Sequence, residues 1–198
     1  MKSIKQLFII LSLSLVFTGC MKSEKPTDLS SSETEIKQKL ADLYATYGKS
    51  SDLLYSQAIA KDLFSPALEK TLQQAVDASI ADIEKIAKSD HPTDKPALLE
   101  GSIFTSLYEG FTSYKITSID ISPDTSASNL QADVLVTLEN TRVSPSIHWT
   151  DSVHLRSISN NGWRIENIKF SEKEGNNQDL QTSLQRFITA TQAVKTEK

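Results

Sequence analysis

Residues 130–138 read LQADVLVTL, so that an apolar side chain returns at every second position. Successive side chains of a β-strand point to opposite faces, and this alternation therefore predicts a strand with one buried face. Residues 147–155 alternate in the same way, and residues 114–121 alternate with an irregularity in the middle. A series of neighbouring strands is therefore expected.

A hairpin signal follows these strands. Asn160-Asn161-Gly162 is typical of a tight turn, because Asn and Gly tolerate the positive φ that such a turn needs. Trp163, Ile165 and Ile168 then belong to the returning strand. The sequence predicts an antiparallel meander of at least four strands.

Elsewhere the apolar residues recur every three or four positions, which is the helical period. Helices are predicted over residues 33–48, as a short piece near 52–63, over 66–88, and near the C-terminus. The apolar residues of the third helix are Leu68, Leu72, Val76, Ile80, Ile83 and Ile86. Those of the C-terminal helix are Leu180, Leu184, Phe187 and Ile188.

Local signals indicate where these elements begin and end. Ser32, with Glu35 three residues later, fits a capping box for the first helix. Ser65 before Pro66 fits the start of the long helix, since proline is favourable in a first turn. Residues 89–96 contain two prolines and two aspartates and predict an ordered loop, whereas residues 98–111 show no clear period.

Helices followed by an antiparallel meander indicate the α+β class, with the N-terminal helices covering the apolar face of a curved sheet. The domain is expected to span residues 33–170, followed by a linker and an amphipathic helix in 171–198. Two arrangements of that last helix stay open: it packs on the sheet, or it extends freely from the domain.

The N-terminus predicts export and lipid attachment. Lys2 and Lys5 precede an apolar run at residues 7–17, which is too short to cross a bilayer but fits a signal peptide over residues 1–19. The following Phe17-Thr18-Gly19-Cys20 resembles the lipobox of bacterial lipoproteins. The resemblance implies cleavage before Cys20 and lipid on its thiol.

Residues 20–32 are then a lipidated cysteine and a polar tether. Met21 stands where an aspartate would favour inner-membrane retention, so the resemblance implies an outer-membrane anchor facing the periplasm. Cys20 is the only cysteine, which excludes an intrachain disulfide.

The order of elements, ending in a hairpin with Asn161-Gly162-Trp163-Arg164-Ile165, resembles the nuclear-transport-factor-two-like α+β cone. Residues 63–68, 90–96 and 100–106 resemble an uncharacterised enterobacterial envelope family, a domain of unknown function that includes small lipoproteins. The likeness covers roughly residues 33–170. It implies a fold but no activity, because such cones serve as enzymes and as binding modules.

The loop after the third helix is the first candidate site. Asp90, His91, Asp94 and Glu100 could converge on a cation or line the mouth of the cone, with Phe104 and Thr105 beside them. Their spacing matches no metal-binding signature, and we predict neither a metal nor another cofactor. In the alternative reading, Asp and Pro only cap and turn the loop, and Gly101 permits a tight bend.

The second candidate lies in the cone interior. Trp149 and Asp151 share the apolar face of one strand, and burial of this carboxyl would raise its pKa, as in general acids and bases. The alternative is an aspartate at the sheet edge that is paired with Lys or Arg, or one at a rim position that reaches solvent. His148 and His154 are expected on the opposite face, too far apart for a shared metal.

Composition and motifs exclude several functions. The formal net charge of −4 argues against a nucleic-acid partner, and neither a phosphate-binding glycine loop nor a serine-hydrolase motif is present. The leading hypothesis is a non-enzymatic envelope lipoprotein that binds an envelope protein or ligand, of which an immunity protein is one version. The alternative is a small cone-fold enzyme or small-molecule binder that uses Asp151 or the carboxylates Asp90, Asp94 and Glu100. A purely structural lipoprotein is a third reading.

Overall fold

The computed structural model describes residues 29–125, 129–158, 161–172 and 178–193. The predicted signal peptide, Cys20 and most of the tether lie outside these residues, as does Asn160 of the hairpin. The helices are α1 (Leu29–Tyr47), α2 (Leu53–Ser56), α3 (Pro66–Ala87) and α4 (Leu180–Ala193). The strands are β1 (Ser113–Pro123), β2 (Leu130–Asn140), β3 (Ile147–Ile158) and β4 (Gly162–Lys169).

The four strands form one antiparallel sheet in the order β1-β2-β3-β4. This confirms the predicted α+β class, and a cone-like curvature is consistent with it. The irregularity predicted in β1 is also confirmed, because the register shifts between Ile116 and Ser118. A second shift, between His154 and Leu155, explains why the apolar residues of β4 change spacing after Ile165.

The core lies between the helices and one face of the sheet. The buried apolar residues of the sheet face are Ala132, Val134, Val136, Leu138, Trp149, Val153, Leu155, Trp163, Ile165 and Ile168. From α1, the predicted stripe of Ile36, Leu40, Leu43, Tyr44 and Tyr47 is buried against them. The alternating apolar residues of the strands and the apolar stripe of α1 therefore pack together in one core.

The C-terminal helix packs on the domain. Leu180, Leu184 and Ile188 are buried, and α4 contacts both α3 and β4. The signal at the start of α3 is confirmed as well, because the Ser65 Oγ accepts a hydrogen bond from the backbone N–H of Leu68 at 3.2 Å.

The first helix begins earlier than its predicted start at residue 33. It starts at Leu29, so residues 29–32 of the predicted tether are helical and Ser32 is buried inside the helix. The predicted capping box is therefore wrong. Glu35 instead accepts a hydrogen bond from the backbone N–H of Trp163 at 2.8 Å, which joins α1 to the β3–β4 hairpin.

The second helix is much shorter than the predicted segment 52–63. Beyond Ser56 the chain is held by tertiary hydrogen bonds, since the Ala60 N–H donates to the Tyr47 hydroxyl at 2.9 Å. Further on, the Ser65 N–H donates to the Ile165 carbonyl and the Ile165 N–H donates to the Leu63 carbonyl. These contacts with β4 are non-local and leave no periodic signal.

The buried face of α3 departs from the predicted apolar stripe in the C-terminal half of the helix. Ile80 and Ile83 are 43% and 40% exposed, whereas Leu68 and Leu72 are fully buried.

Among the helices of the described residues, none combines the length and the apolarity needed to cross a bilayer.

Candidate functional site

The segment without a clear period, residues 98–111, lies between α3 and β1 and is named the central loop here. Polar contacts hold it against the N-terminal helices. The Leu99 N–H donates to the Tyr55 hydroxyl at 2.6 Å, the Ser51 hydroxyl donates to the Leu99 carbonyl, and the Ser102 hydroxyl donates to the Gly48 carbonyl at 3.0 Å. A loop fixed in this way presents its side chains in a defined geometry.

Gly101 makes the bend in the central loop that its sequence predicts. Its φ is +71°, and a Cβ at this position would lie 2.7 Å from the Tyr108 ring. The Ser102 N–H also donates to the Tyr108 carbonyl at 2.9 Å. Glycine is therefore required both for the backbone conformation and for the close approach of Tyr108.

Asp151 is the most unusual polar group of the interior, because it is fully buried on β3. Its Oδ2 accepts from the Trp149 Nε1 and from the backbone N–H of Ser106, each at 3.1 Å. Its Oδ1 accepts from the Ser106 hydroxyl and, at 3.1 Å, from the backbone N–H of Ser171. The carboxylate thus joins β3 to the central loop and to the segment after β4.

Burial raises the pKa of the Asp151 carboxyl above its ordinary value, and the hydrogen bonds from Ser106, Trp149 and Ser171 act against that rise. The nearby Tyr44 is affected too: burial and then the charge of Asp151 raise the pKa of its hydroxyl. No Lys or Arg of the described residues forms an ion pair with Asp151. The alternative of an edge aspartate with a cationic partner is therefore wrong.

A surface groove of about 300 Å³ runs between the central loop and α4, and is named the loop–α4 groove. The predicted residues Glu100 and Thr105 line it, together with Tyr108 from the loop and Phe187 from α4. The remaining lining residues are Leu98, Leu99, Ser102, Ile103, Ser106, Phe170, Leu180, Ser183 and Leu184. Most of this surface is apolar, with hydroxyl groups and one carboxylate among it.

The other predicted loop residues lie elsewhere. Asp94 and His91 line a separate groove of about 470 Å³ between α3, the 89–97 loop and α4. Glu100 forms an ion pair with Lys95 at 2.9 Å, and Asp90 is exposed. No group of three or more His, Cys, Asp or Glu side chains in the described part of the chain could hold a metal ion. The predicted convergence of these carboxylates is therefore wrong.

Phe104 is a core residue and not part of a binding loop. It is fully buried, stacks on Phe64 with ring centroids 5.5 Å apart, and lies 5.2 Å from the Tyr47 ring. These three aromatic rings belong to the hydrophobic core. Trp149 is buried as predicted, and its indole N–H is taken by Asp151.

The two strand histidines lie on the outer face, as predicted. His154 Nδ1 is 2.9 Å from the Asp133 carboxylate, and His148 Nε2 is 3.5 Å from the Glu139 carboxylate. Each pair joins neighbouring residues of β2 and β3. These histidines therefore have no part in the environment of Asp151.

Sequence reasoning missed Ser106, Ser171 and the wall that α4 contributes to the groove. Ser106 and Ser171 belong to no periodic element, and they meet Asp151 only because the chain returns to it across long sequence separations. Comparisons with protein-family models, with curated proteins and with solved structures find no significant match to this chain. The resemblances stated above therefore stay predictions.

Proposed function

We propose that this chain is a membrane-anchored envelope lipoprotein whose domain is a non-enzymatic binding module. The observation that carries the proposal is the loop–α4 groove, a largely apolar surface between a firmly held loop and a packed helix. Tyr108, which lines the groove, is 60% exposed and therefore presents an aromatic ring to a partner. Aromatic side chains of this kind are enriched at protein interfaces.

The partner that this groove fits best is another envelope protein. Its exposed tyrosine could pack against an apolar side chain of the partner, while the Lys95–Glu100 ion pair would offer charged groups beside it. An immunity protein that blocks a toxin is one particular version of this proposal. Genomic adjacency to a toxin gene would distinguish it from other binding modules.

The position of the proposed anchor leaves the groove accessible to such a partner. Glu35, near the start of α1, contacts Trp163, whereas Gly48, just past its end, contacts Ser102 of the central loop. The 19 residues of α1 extend for about 28 Å. A lipid anchor on Cys20 would therefore hold the opposite end of α1, leaving the loop–α4 groove away from the point of attachment.

An enzyme that uses Asp151 is the weaker alternative. Ser106 lines the groove and donates its hydroxyl hydrogen to Asp151, which is the observation in its favour. Against it, both carboxylate oxygens already accept hydrogen bonds from protein donors, so neither is available to a substrate. The groove volume of about 300 Å³ lies at the lower end for small-molecule sites, which keeps a small-ligand binder as the closer rival.

The test is affinity capture from native envelopes with the wild-type chain and with Tyr108→Ala. We expect one dominant partner that the variant loses, because truncation removes the most exposed aromatic contact of the groove. The matched control is Leu135→Ala, which removes a side chain of the outer sheet face that is also exposed. Circular dichroism establishes that each variant is folded.

Recovery of the same proteins by wild type, Tyr108→Ala and Leu135→Ala would contradict the groove as the binding surface. A thermal-shift response to small molecules that Tyr108→Ala abolishes, with no protein captured, would favour the small-ligand binder instead.

A further inference from the structure

Among the described residues, the sheet ends in a long strand, β1, whose outer edge pairs with no other strand. β1 has 11 residues, and within the described part of the chain it pairs only with β2. Most of its residues are exposed, including Ser113, Lys115, Thr117, Ser118 and Asp120. A free edge of this length offers a row of backbone N–H and C=O groups to another strand.

The other end of the sheet is covered. Residues 63–65 run alongside β4, where the Ser65 N–H donates to the Ile165 carbonyl at 2.8 Å and the Ile165 N–H donates to the Leu63 carbonyl at 3.0 Å. A further copy that added a strand at β1 could therefore not be followed by another copy at β4. An assembly through β1 would stop at two copies.

The order of inward-facing and outward-facing side chains in β1 is symmetric about its bulge. Tyr114 and Ile116 are paired with buried residues of β2, and so are Ile119 and Ile121 beyond the bulge. Lys115 and Asp120 alternate with them and are exposed. Thr117 and Ser118 lie at the bulge itself, in the centre of the pattern.

Antiparallel pairing of β1 with β1 of a second copy, about an axis between Thr117 and Ser118, satisfies this pattern. Lys115 then faces Asp120 of the second copy, Ile116 faces Ile119, and Tyr114 faces Ile121. Residues that lie directly opposite each other in an antiparallel pair point to the same side of the sheet, as these do. The arrangement is isologous, since each contact occurs twice.

The charges of a single copy are not balanced along this strand. Asp120 lies directly opposite Asp133 of β2, and like charges in this position are destabilising. The Asp133 carboxylate interacts with His154, whereas neither Lys115 nor Asp120 takes part in an ion pair among the described residues. Lys115 of a second copy would supply the missing cation.

We infer that this protein forms a two-fold symmetric dimer by antiparallel pairing of β1 with β1 of a second copy. The pairing joins the sheets into one eight-stranded sheet and continues the inner apolar row from one copy into the other. Tyr114, which is 37% exposed and packs against Tyr44 and Phe111, becomes covered at the join.

The test is the molecular mass of the full chain in detergent solution, measured by sedimentation equilibrium at matched solvent density. The wild type is expected to be dimeric. Lys115→Asp places aspartates against Asp120, and Asp120→Lys places lysines against Lys115, so each variant alone should dissociate about tenfold more readily. An equimolar mixture of the two variants should regain the dimer, because every charge then meets its opposite.

Both variants should fold, since position 115 faces Thr137 and a lysine at position 120 would face Asp133. The matched controls are Lys70→Asp and Asp77→Lys on the exposed side of α3, which change the net charge equally and should leave the mass unchanged. A wild type that stays monomeric at every concentration overturns the inference and leaves the edge to an extended segment of another protein. A dimer that is insensitive to both variants overturns it as well, since the interface then lies elsewhere.

Discussion

Asp151 connects three separate segments of the chain through its hydrogen bonds. It receives hydrogen bonds from its own strand through Trp149, from the central loop through Ser106, and from the segment after β4 through Ser171. Sequence periodicity correctly places this carboxyl on the apolar face. The donors that satisfy it are distant in sequence, and no local pattern reveals them.

Replacement of Asp151 by Asn should destabilise the protein without changing its fold. A carboxylate accepts hydrogen bonds on both oxygens, but an amide has one acceptor, so donors such as the Trp149 indole N–H lose their partner. The free energy of unfolding should fall by about 1–3 kcal/mol, measured by urea denaturation at neutral pH. The control is Asp90→Asn, an exposed position where the same change should have little effect.

A comparison of wild type with Asp151→Asn also tests the pKa of Asp151. The pKa of Asp151 is higher in the folded than in the unfolded state, so the folded state binds more protons. The contribution of Asp151 to stability therefore decreases as the pH rises through its folded pKa. The stability advantage of wild type over Asp151→Asn should therefore be largest below pH ~4, the ordinary pKa of an unfolded Asp, and should narrow as the pH rises towards neutral. A constant difference across this range would contradict the raised pKa.

Among the elements, α4 shows that periodicity predicts a helix but not the elements against which the helix packs. Its apolar residues predict an amphipathic helix, and the helix is present, but the same stripe is compatible with several partners. The structure places the stripe against α3 and β4, where Leu180, Leu184 and Ile188 are buried. This packing also creates the loop–α4 groove, to which α4 contributes Phe187.

If α4 is an integral part of the domain, Leu184→Ala should destabilise the whole protein by about 2–5 kcal/mol, because it leaves a cavity at a buried position. Cooperative unfolding monitored by tryptophan fluorescence measures this loss, since both tryptophans lie in the sheet. Gln185→Ala on the exposed side of the same helix serves as the control. Equal stability of the two variants would indicate that α4 is dispensable for the fold.

The central loop shows where sequence patterns fail at the element scale. Residues 98–111 show no period because their conformation depends largely on hydrogen bonds to Gly48, α2 and β3, in addition to a few turns within the segment. Phe104 was expected at a binding surface, yet it fills the core between Phe64 and Tyr47. Gly101 is the exception, since a bend with positive φ leaves a residue-type signal.

For the whole molecule, the direction of α1 relates the proposed anchor to the proposed binding surface. The start of α1 lies beside the β3–β4 hairpin, and its end lies beside the central loop. Eight residues separate Cys20 from Leu29, where α1 begins, so the nine Cα–Cα steps between these two residues can reach at most about 30 Å. With the proposed anchor, a tether of that reach would let the domain turn the loop–α4 groove towards the proposed partner.

The lipid anchor is tested by Cys20→Ser in the full chain. The wild type should incorporate a labelled fatty acid during growth, and the variant should not, because the thiol that carries the lipid is absent. Ser23→Ala, three residues further on, is the matched control and should be labelled as strongly as wild type. Equal labelling of all three chains would contradict lipidation at this cysteine.

The α+β order, the irregularity in β1, the start of α3 at Pro66 and the buried stripe of α1 follow from the sequence, because spacing and capping act over a few residues. The short α2, the helical residues 29–32 and the role of Glu35 depend on contacts with distant segments. The donors around Asp151 and both walls of the loop–α4 groove have the same origin. Such contacts arise only when separate elements pack together, and for that reason the candidate site is a property of the folded chain.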